Sequence, residues 1–139
     1  MTENLRELCK QLRLAYVAEV VDSVEFSTPQ DYLSNVLKKE IEMREFAKVE
    51  RNLKQARFLE NKTLDSYQWG SSLRLPHTVT KEQLEDLEFI KAHQNLVLVG
   101  APGTGKTHLA SALGRRACEK GHLVRFYRVS QLVEQLEAA

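Results

Sequence analysis

The sequence predicts an α/β protein in which an N-terminal all-helical module precedes the start of a parallel sheet. Residues 30–61 contain neither Gly nor Pro, which is typical of a long helix. Further along, a compact apolar run, residues 96–99, and a second predicted strand, residues 123–127, lie on either side of a helical pattern. Such runs are typical of buried parallel strands. The order strand, helix, strand is the beginning of a βαβ unit, so we expect a parallel α/β sheet.

Composition indicates a folded, non-membrane protein. The 139 residues are 42% hydrophobic and 28% charged, which excludes the disordered class. The net charge of +1 does not by itself indicate an acidic partner. No stretch approaches the roughly 18 apolar residues of a transmembrane helix, and the N-terminus lacks the apolar core of a signal peptide. We therefore expect a cytoplasmic protein with no membrane contact, in which Cys9 and Cys118 are reduced and buried.

Two helices are predicted in the N-terminal half. The first covers residues 4–21, whose apolar side chains recur at helical spacing. The second begins with Thr28 as its N-cap and Pro29 in its first turn, and it ends near Arg57. Its apolar stripe consists of Leu33, Val36, Leu37 and Ile41.

In the C-terminal half, capping residues mark where further helices begin and end. Thr80 with Gln83 is a capping signature that opens a short helix through about Ala92. The helix predicted over residues 106–120 has an apolar face and ends at Gly121, a C-cap residue.

Ser130 is expected to cap a last helix that runs to the end of the chain. These elements divide the chain into a helical N-terminal domain (1–60), a connector (61–79) that carries Gly, Ser and Pro, and a nucleotide-binding domain (80–139).

The strongest motif is a phosphate loop at residues 100–107, which matches GxxxxGK[ST] at every fixed position. Glycines let consecutive backbone N–H groups point at phosphate oxygens, and the following helix adds the positive end of its dipole. Lys106 is expected to contact the β- and γ-phosphates of ATP, and the Thr107 hydroxyl to bind Mg²⁺. The candidate cofactor-binding residues are Gly100, Ala101, Pro102, Gly103, Thr104, Gly105, Lys106, Thr107 and His108.

A second acidic residue, placed after an apolar strand, normally completes such a site for hydrolysis. The acids after Thr107 are Glu119, Glu134 and Glu137, and none of them follows an apolar run. We therefore expect this chain to contain no catalytic residue and to be a truncated or partial reading frame of a P-loop ATPase.

Four basic residues recur at helical spacing in the second helix: Arg44, Lys48, Arg51 and Lys54. Two interpretations stay open. In one, the ridge is a solvated face balanced by Glu40 and Glu50, each four residues from a basic partner. In the other, it contacts the phosphate backbone of DNA without reading its sequence.

Several stretches, taken in order, resemble a known family: residues 31–40 with Arg44, 53–58, 62–67, 95–100, 106–110, Gly121 and 130–133. Together they are similar to the IstB/DnaC-like AAA+ ATPases, and most similar to the IstB helper ATPases of bacterial insertion sequences. The resemblance implies a helical N-terminal domain, an AAA+ core that binds ATP and Mg²⁺, ATP-dependent homo-oligomers on double-stranded DNA, and assistance to a transposase.

The resemblance also implies that residues 63–69 cover the nucleotide base, with Tyr67 or Trp69 near adenine. The residues themselves favour another role for these two rings, which is to anchor the connector to a core. Two alternatives to a transposition helper remain: a DnaC-like loader of a replicative helicase, and a non-catalytic fragment that binds DNA or protein and folds only in its helical half.

Overall fold

A computed structural model describes residues 2–70 and 73–139 of the chain. Over these ranges the helices are α1 (Glu3–Gln11), α2 (Val17–Val20), α3 (Pro29–Ala56), α4 (Lys81–Glu85), α5 (Glu88–Lys91), α6 (Lys106–Glu119) and α7 (Val129–Ala138). The contacts divide the chain into a first unit that ends at Lys48 and a second unit from Val49 to Ala139. None of the helices described is both long and apolar enough to span a bilayer.

The predicted parallel sheet is wrong, because residues 2–70 and 73–139 contain no strand. Residues 96–99 and 123–127 form no ladder, and the Phe126 N–H donates instead to Ala56 O at 2.9 Å. Val97, Val99 and Leu123 are 77%, 90% and 76% exposed. An apolar run reports a preference for burial, whereas a strand also needs a neighbour that accepts its hydrogen bonds. The sequence pattern supplies only the first of these.

The first predicted helix, residues 4–21, is broken in the first unit. After α1 the backbone of Arg13 turns into the left-handed region with φ 56°. Arg13 N–H then bonds Lys10 O at 3.1 Å and Leu14 N–H bonds Cys9 O at 2.8 Å, which is the Schellman arrangement at a helix end. After the turn, Leu14 packs against the buried cluster of Cys9, Val17 and Val36 in the core of this unit. The periodicity of the local sequence does not reveal this break in the helix, because packing favours the break.

Helix α3 begins where the sequence predicts. Thr28 Oγ1 accepts a hydrogen bond from Asp31 N–H at 3.1 Å, and the helix ends one residue before Arg57, whose φ is 59°. Its predicted apolar stripe is mostly exposed, since only Val36 is buried. The neighbouring buried side chain is that of Glu40. Packing in the first unit therefore uses a polar contact in addition to apolar ones.

The second unit is built around α6. Its predicted apolar face is buried, with Leu109, Leu113 and Ala117 between 2% and 4% exposed. Its end is also confirmed: Gly121 has φ 89°, and its N–H bonds Cys118 O at 3.0 Å. The two cysteines are free and buried as expected, and burial raises the pKa of the Cys118 thiol.

The helix predicted from Thr80 starts correctly but does not reach Ala92 unbroken. Thr80 and Gln83 form the capping box, with bonds of 3.2 and 2.9 Å. The helix then ends, and Leu87 adopts φ 59° between α4 and α5 while only 1% exposed. Leu87 belongs to the same buried cluster as Leu84, so burial of both side chains accompanies the break.

The start of the last helix differs from the prediction by two residues. The N-cap of α7 is Arg128, whose N–H donates to Gln131 Oε1 at 3.2 Å. Ser130 lies inside the first turn, so it is not the cap. Gln131, at the third helical position, instead accepts the backbone N–H of the N-cap residue, which is the N3 half of a capping box.

Candidate phosphate-binding site

The backbone of the phosphate loop (residues 100–107) takes conformations that need glycine. Gly103 and Gly105 have φ of +78° and +90°, in the region that residues with a Cβ rarely adopt. Gly100 is constrained by space, because a Cβ there would lie 3.0 Å from Thr104 Oγ1. That hydroxyl donates to Ala101 O at 2.7 Å and closes the turn.

The loop ends at the N-terminus of α6. Gly105 is the N-cap, and the Leu109 N–H donates to its carbonyl at 3.0 Å. The N–H groups of Lys106, Thr107 and His108 precede that bond, so they have no acceptor inside the helix. Together with the helix dipole, they favour an anion at this end of α6.

The Lys106 side chain curls back over the loop, and its ammonium donates to Gly100 O. Gly100 is exposed and Lys106 is partly exposed, so both groups are accessible to solvent. A cation therefore lies across the same loop whose N–H groups favour an anion.

Within the loop, three further residues are exposed: Ala101, Pro102 and Thr107. The Thr107 hydroxyl is an oxygen donor of the kind that Mg²⁺ prefers, so its chemistry fits a metal ligand. Lys106 and Thr107 also line an open, mostly apolar groove of about 500 Å³ that follows α6. The polar end of that groove is the end next to the loop.

His108 faces the connector. Its Nε2 lies 3.2 Å from Ser66 Oγ and 3.3 Å from Thr63 O. The sequence predicts His108 among the cofactor contacts and, by resemblance, residues 63–69 beside the base, but it does not predict that His108 contacts Thr63 or Ser66. Their spacing was the available signal, because hydroxyl side chains three residues apart often bond each other's backbone in a turn. Here Ser66 N–H bonds Thr63 Oγ1 at 3.2 Å.

Three rings form a row from the connector to α6. The ring centroids of Tyr67 and Trp69 are 4.9 Å apart, and those of Tyr67 and His108 are 5.4 Å apart, both pairs edge-to-face. The ammonium of Lys81 lies 4.9 Å from the Trp69 centroid. Tyr67 and Trp69 are partly buried against the core of the second unit, which is the packing that an anchoring role requires.

Of the four basic residues on α3, Arg44 is held by a buried carboxylate. Glu40 is 3% exposed, and its Oε1 accepts a bond from Arg44 Nε at 2.9 Å. Its Oε2 accepts from Tyr16 N–H at 2.6 Å, and Arg44 donates further to Arg13 O. Burial pushes the pKa of Glu40 upward, but the bonds from Arg44 and Tyr16 outweigh it, so the pKa lies below its ordinary value.

The other three basic residues are exposed. Lys48 belongs to the first unit, and Arg51 and Lys54 belong to the second. The Glu40–Arg44 ion pair of the first interpretation is present, but its carboxylate is buried and not part of a solvated face.

Residues 5–139 match the family described as IstB-like ATP binding protein. The chain belongs to this family. The match confirms the resemblance inferred from the ordered stretches of sequence, and it includes both the helices of the first unit and the phosphate loop of the second.

Individual IstB-like relatives come from insertion sequences. One, from Pseudomonas aeruginosa, is named "Insertion sequence IS21 putative ATP-binding protein"; it is 32% identical over an alignment of 150 positions that covers 98% of this chain and 53% of that protein. Another, from Geobacillus stearothermophilus, is named "Insertion sequence IS5376 putative ATP-binding protein"; it is 28% identical over an alignment of 145 positions that covers 100% of this chain and 57% of that protein. The chain spans about half the length of the curated relatives it matches.

Proposed function

We propose that this chain binds ATP together with Mg²⁺ through residues 100–107, and that it serves as the nucleotide-binding part of an accessory protein for DNA transposition. The observation that carries the proposal is the loop itself. Gly103 and Gly105 hold it in the left-handed region, and the N-terminus of α6 follows directly. The names of the relatives, which describe ATP-binding proteins, support the choice of nucleotide.

Binding requires an exchange of partners at Lys106. Its ammonium donates to the neutral carbonyl of Gly100. A phosphate oxygen is charged and is a stronger acceptor, so a triphosphate would take over the ammonium. Gly100 is exposed, and water can then solvate its carbonyl. The N–H groups at the start of α6 would hold further phosphate oxygens, and the Thr107 hydroxyl would hold Mg²⁺, which neutralises phosphate charge when bound.

Calorimetric titration of the chain with ATP and Mg²⁺ tests this proposal. We expect ATP and ADP to bind and AMP to bind far more weakly, because Lys106 contacts the outer phosphates. Lys106→Ala should abolish binding. Lys91→Ala removes an equally charged, exposed side chain from α5 and should leave binding unchanged. Absence of ATP binding by the wild-type chain would refute the proposal.

The metal is tested at Thr107. Thr107→Ser keeps a hydroxyl and should keep the dependence of ATP affinity on Mg²⁺, whereas Thr107→Ala should lose it. Equal Mg²⁺ dependence in the Ser and Ala variants would exclude Thr107 as the ligand.

We further propose assistance to a transposase, with double-stranded DNA as a partner and with ATP-dependent homo-oligomers, in preference to helicase loading. The support is that the relatives bear the names of insertion sequences. A transposase gene adjacent to the gene for this chain would support the proposal, whereas a helicase or helicase-loader context would favour the DnaC-like alternative.

DNA contact is proposed for Lys48, Arg51 and Lys54, because each is exposed on α3. Arg44 is a poor choice for testing it, since its removal would also disturb the buried Glu40. The residues belong to two units, so Lys48→Ala and the double variant Arg51→Ala/Lys54→Ala should be tested separately. If both residues of the pair contact phosphates, the double variant should lower the slope of log affinity against log salt by about 2. As a control, the double variant Arg6→Ala/Lys10→Ala should have the same slope of log affinity against log salt as the wild type.

A further inference from the structure

The environment of His108 decides which ring nitrogen carries hydrogen. Ser66 Oγ–H donates to Thr63 O at 3.0 Å, and Thr63 Oγ1 donates to Ser66 Oγ at 3.1 Å. The Thr63 carbonyl can only accept, and it lies 3.3 Å from His108 Nε2. Nε2 therefore carries the hydrogen and donates to this carbonyl, with Ser66 Oγ close by at 3.2 Å. This donor joins the first turn of α6 to a turn of the connector that lies 42 to 45 residues earlier in sequence.

The same turn of the connector also faces the phosphate loop. A Cβ on Gly105 would lie 3.5 Å from Tyr67 Cε2, so the Tyr67 ring lies directly beside the last glycine of the loop. The ring contacts His108 on one side and Trp69 on the other. A change at the loop that moves Gly105 would therefore reach Trp69 through a single intervening ring.

We propose that His108 is a positioning residue for nucleotide binding, which ties the segment 63–69 to the start of α6 so that this segment and the phosphate loop respond to the nucleotide together. The proposal rests on the proposed binding of ATP at the loop. His108 acts through the hydrogen bond that it donates and through its contact with the Tyr67 ring, and it need not touch the nucleotide.

Trp69 gives a direct readout, because it is the only tryptophan among the 139 residues. In the wild-type chain, ATP with Mg²⁺ should change the Trp69 emission, since the row of rings connects it to the loop. In His108→Ala, ATP affinity should fall about fivefold, the effect of one typical hydrogen bond, and the emission change should disappear.

His108→Gln is the matched variant, because the Gln side-chain amide places an N–H donor close to the position of the imidazole Nε2. It should restore most of the affinity and the emission change. His77→Ala removes an exposed histidine elsewhere in the second unit and should behave as the wild type. Circular dichroism of each variant checks that the helices are intact.

A measurement without nucleotide separates this proposal from the proposed function. If His108 holds the segment 63–69 in place, quenching of Trp69 by acrylamide should increase in His108→Ala but not in His108→Gln or His77→Ala. Equal quenching in all variants would overturn the positioning role even if ATP binds. If quenching increases in His108→Ala but the wild-type chain binds no ATP, His108 still holds the segment 63–69 in place, and its proposed link to the nucleotide is refuted. Identical ATP affinity and emission change in His108→Ala and the wild type would also overturn the proposal.

Discussion

Lys106 and Arg44 both donate to a backbone carbonyl, but the two regions differ in what each side chain would leave behind. Lys106 bonds Gly100 O, six residues earlier in an exposed loop. Arg44 bonds Arg13 O, 31 residues earlier, and also Glu40, which is buried. Water can replace Lys106 at its carbonyl, whereas departure of Arg44 would leave a buried carboxylate without its charged partner. A basic side chain is thus available to a ligand only when the group that it leaves can be solvated.

Removal of the buried carboxylate of Glu40 should cause the largest loss in the free energy of unfolding. Glu40→Ala leaves Tyr16 N–H without its acceptor and Arg44 without its counter-charge, and we expect a loss of about 3 kcal/mol in the free energy of unfolding. Glu40→Gln keeps an oxygen for Tyr16 and should lose less. Urea unfolding followed by circular dichroism measures both. Equal, near-zero losses in the two variants would show that the carboxylate does not hold this region together.

The next largest loss of stability is expected at Arg44, and Lys48 of the same helix serves as its comparison. Arg44→Ala should cost about 1–2 kcal/mol, a value reduced because the Arg44 side chain is half exposed. Lys48→Ala should stay within about 0.5 kcal/mol, as is usual for an exposed side chain. The same urea unfolding experiment applies. If the two variants lose equal stability, Arg44 is no more structural than Lys48 and returns to the candidates for DNA contact.

The same contrast explains what the sequence predicts well. The phosphate loop and both ends of α6 depend on contacts between residues close in sequence, such as Gly121 with Cys118, so a local pattern contains the information. The burial of Glu40 depends on Tyr16, 24 residues away, and no local pattern contains it. The predicted strands failed for a related reason, since a strand is defined by a neighbour that the apolar run itself does not specify.

Two glycines test the loop side of the comparison. Gly105→Ala and Gly103→Ala each force a residue with a Cβ into the left-handed region, at a cost of about 1 kcal/mol. The new Cβ of Gly105→Ala would also meet the Tyr67 ring at 3.5 Å, whereas that of Gly103→Ala meets nothing within 4 Å. ATP affinity should therefore fall in both, and Trp69 emission without nucleotide should change only in Gly105→Ala. A change of emission in Gly103→Ala alone would contradict this arrangement of the loop and the rings.

Acidification should produce the smallest effect. Of the two regions compared, it should act on the one around Glu40 and Arg44. The pKa of Glu40 is lowered in the folded chain, because the bonds from Arg44 and Tyr16 outweigh the effect of burial. A lowered pKa means that the folded state favours the ionised form, so the stabilisation is complete above the ordinary pKa of a glutamate carboxyl and is lost as pH falls through the lower pKa of the folded state. The difference in unfolding free energy between the wild type and Glu40→Gln should therefore narrow as the solution is acidified through that range. If the difference stays constant instead, the negative charge of Glu40 does not contribute to the stability of this region.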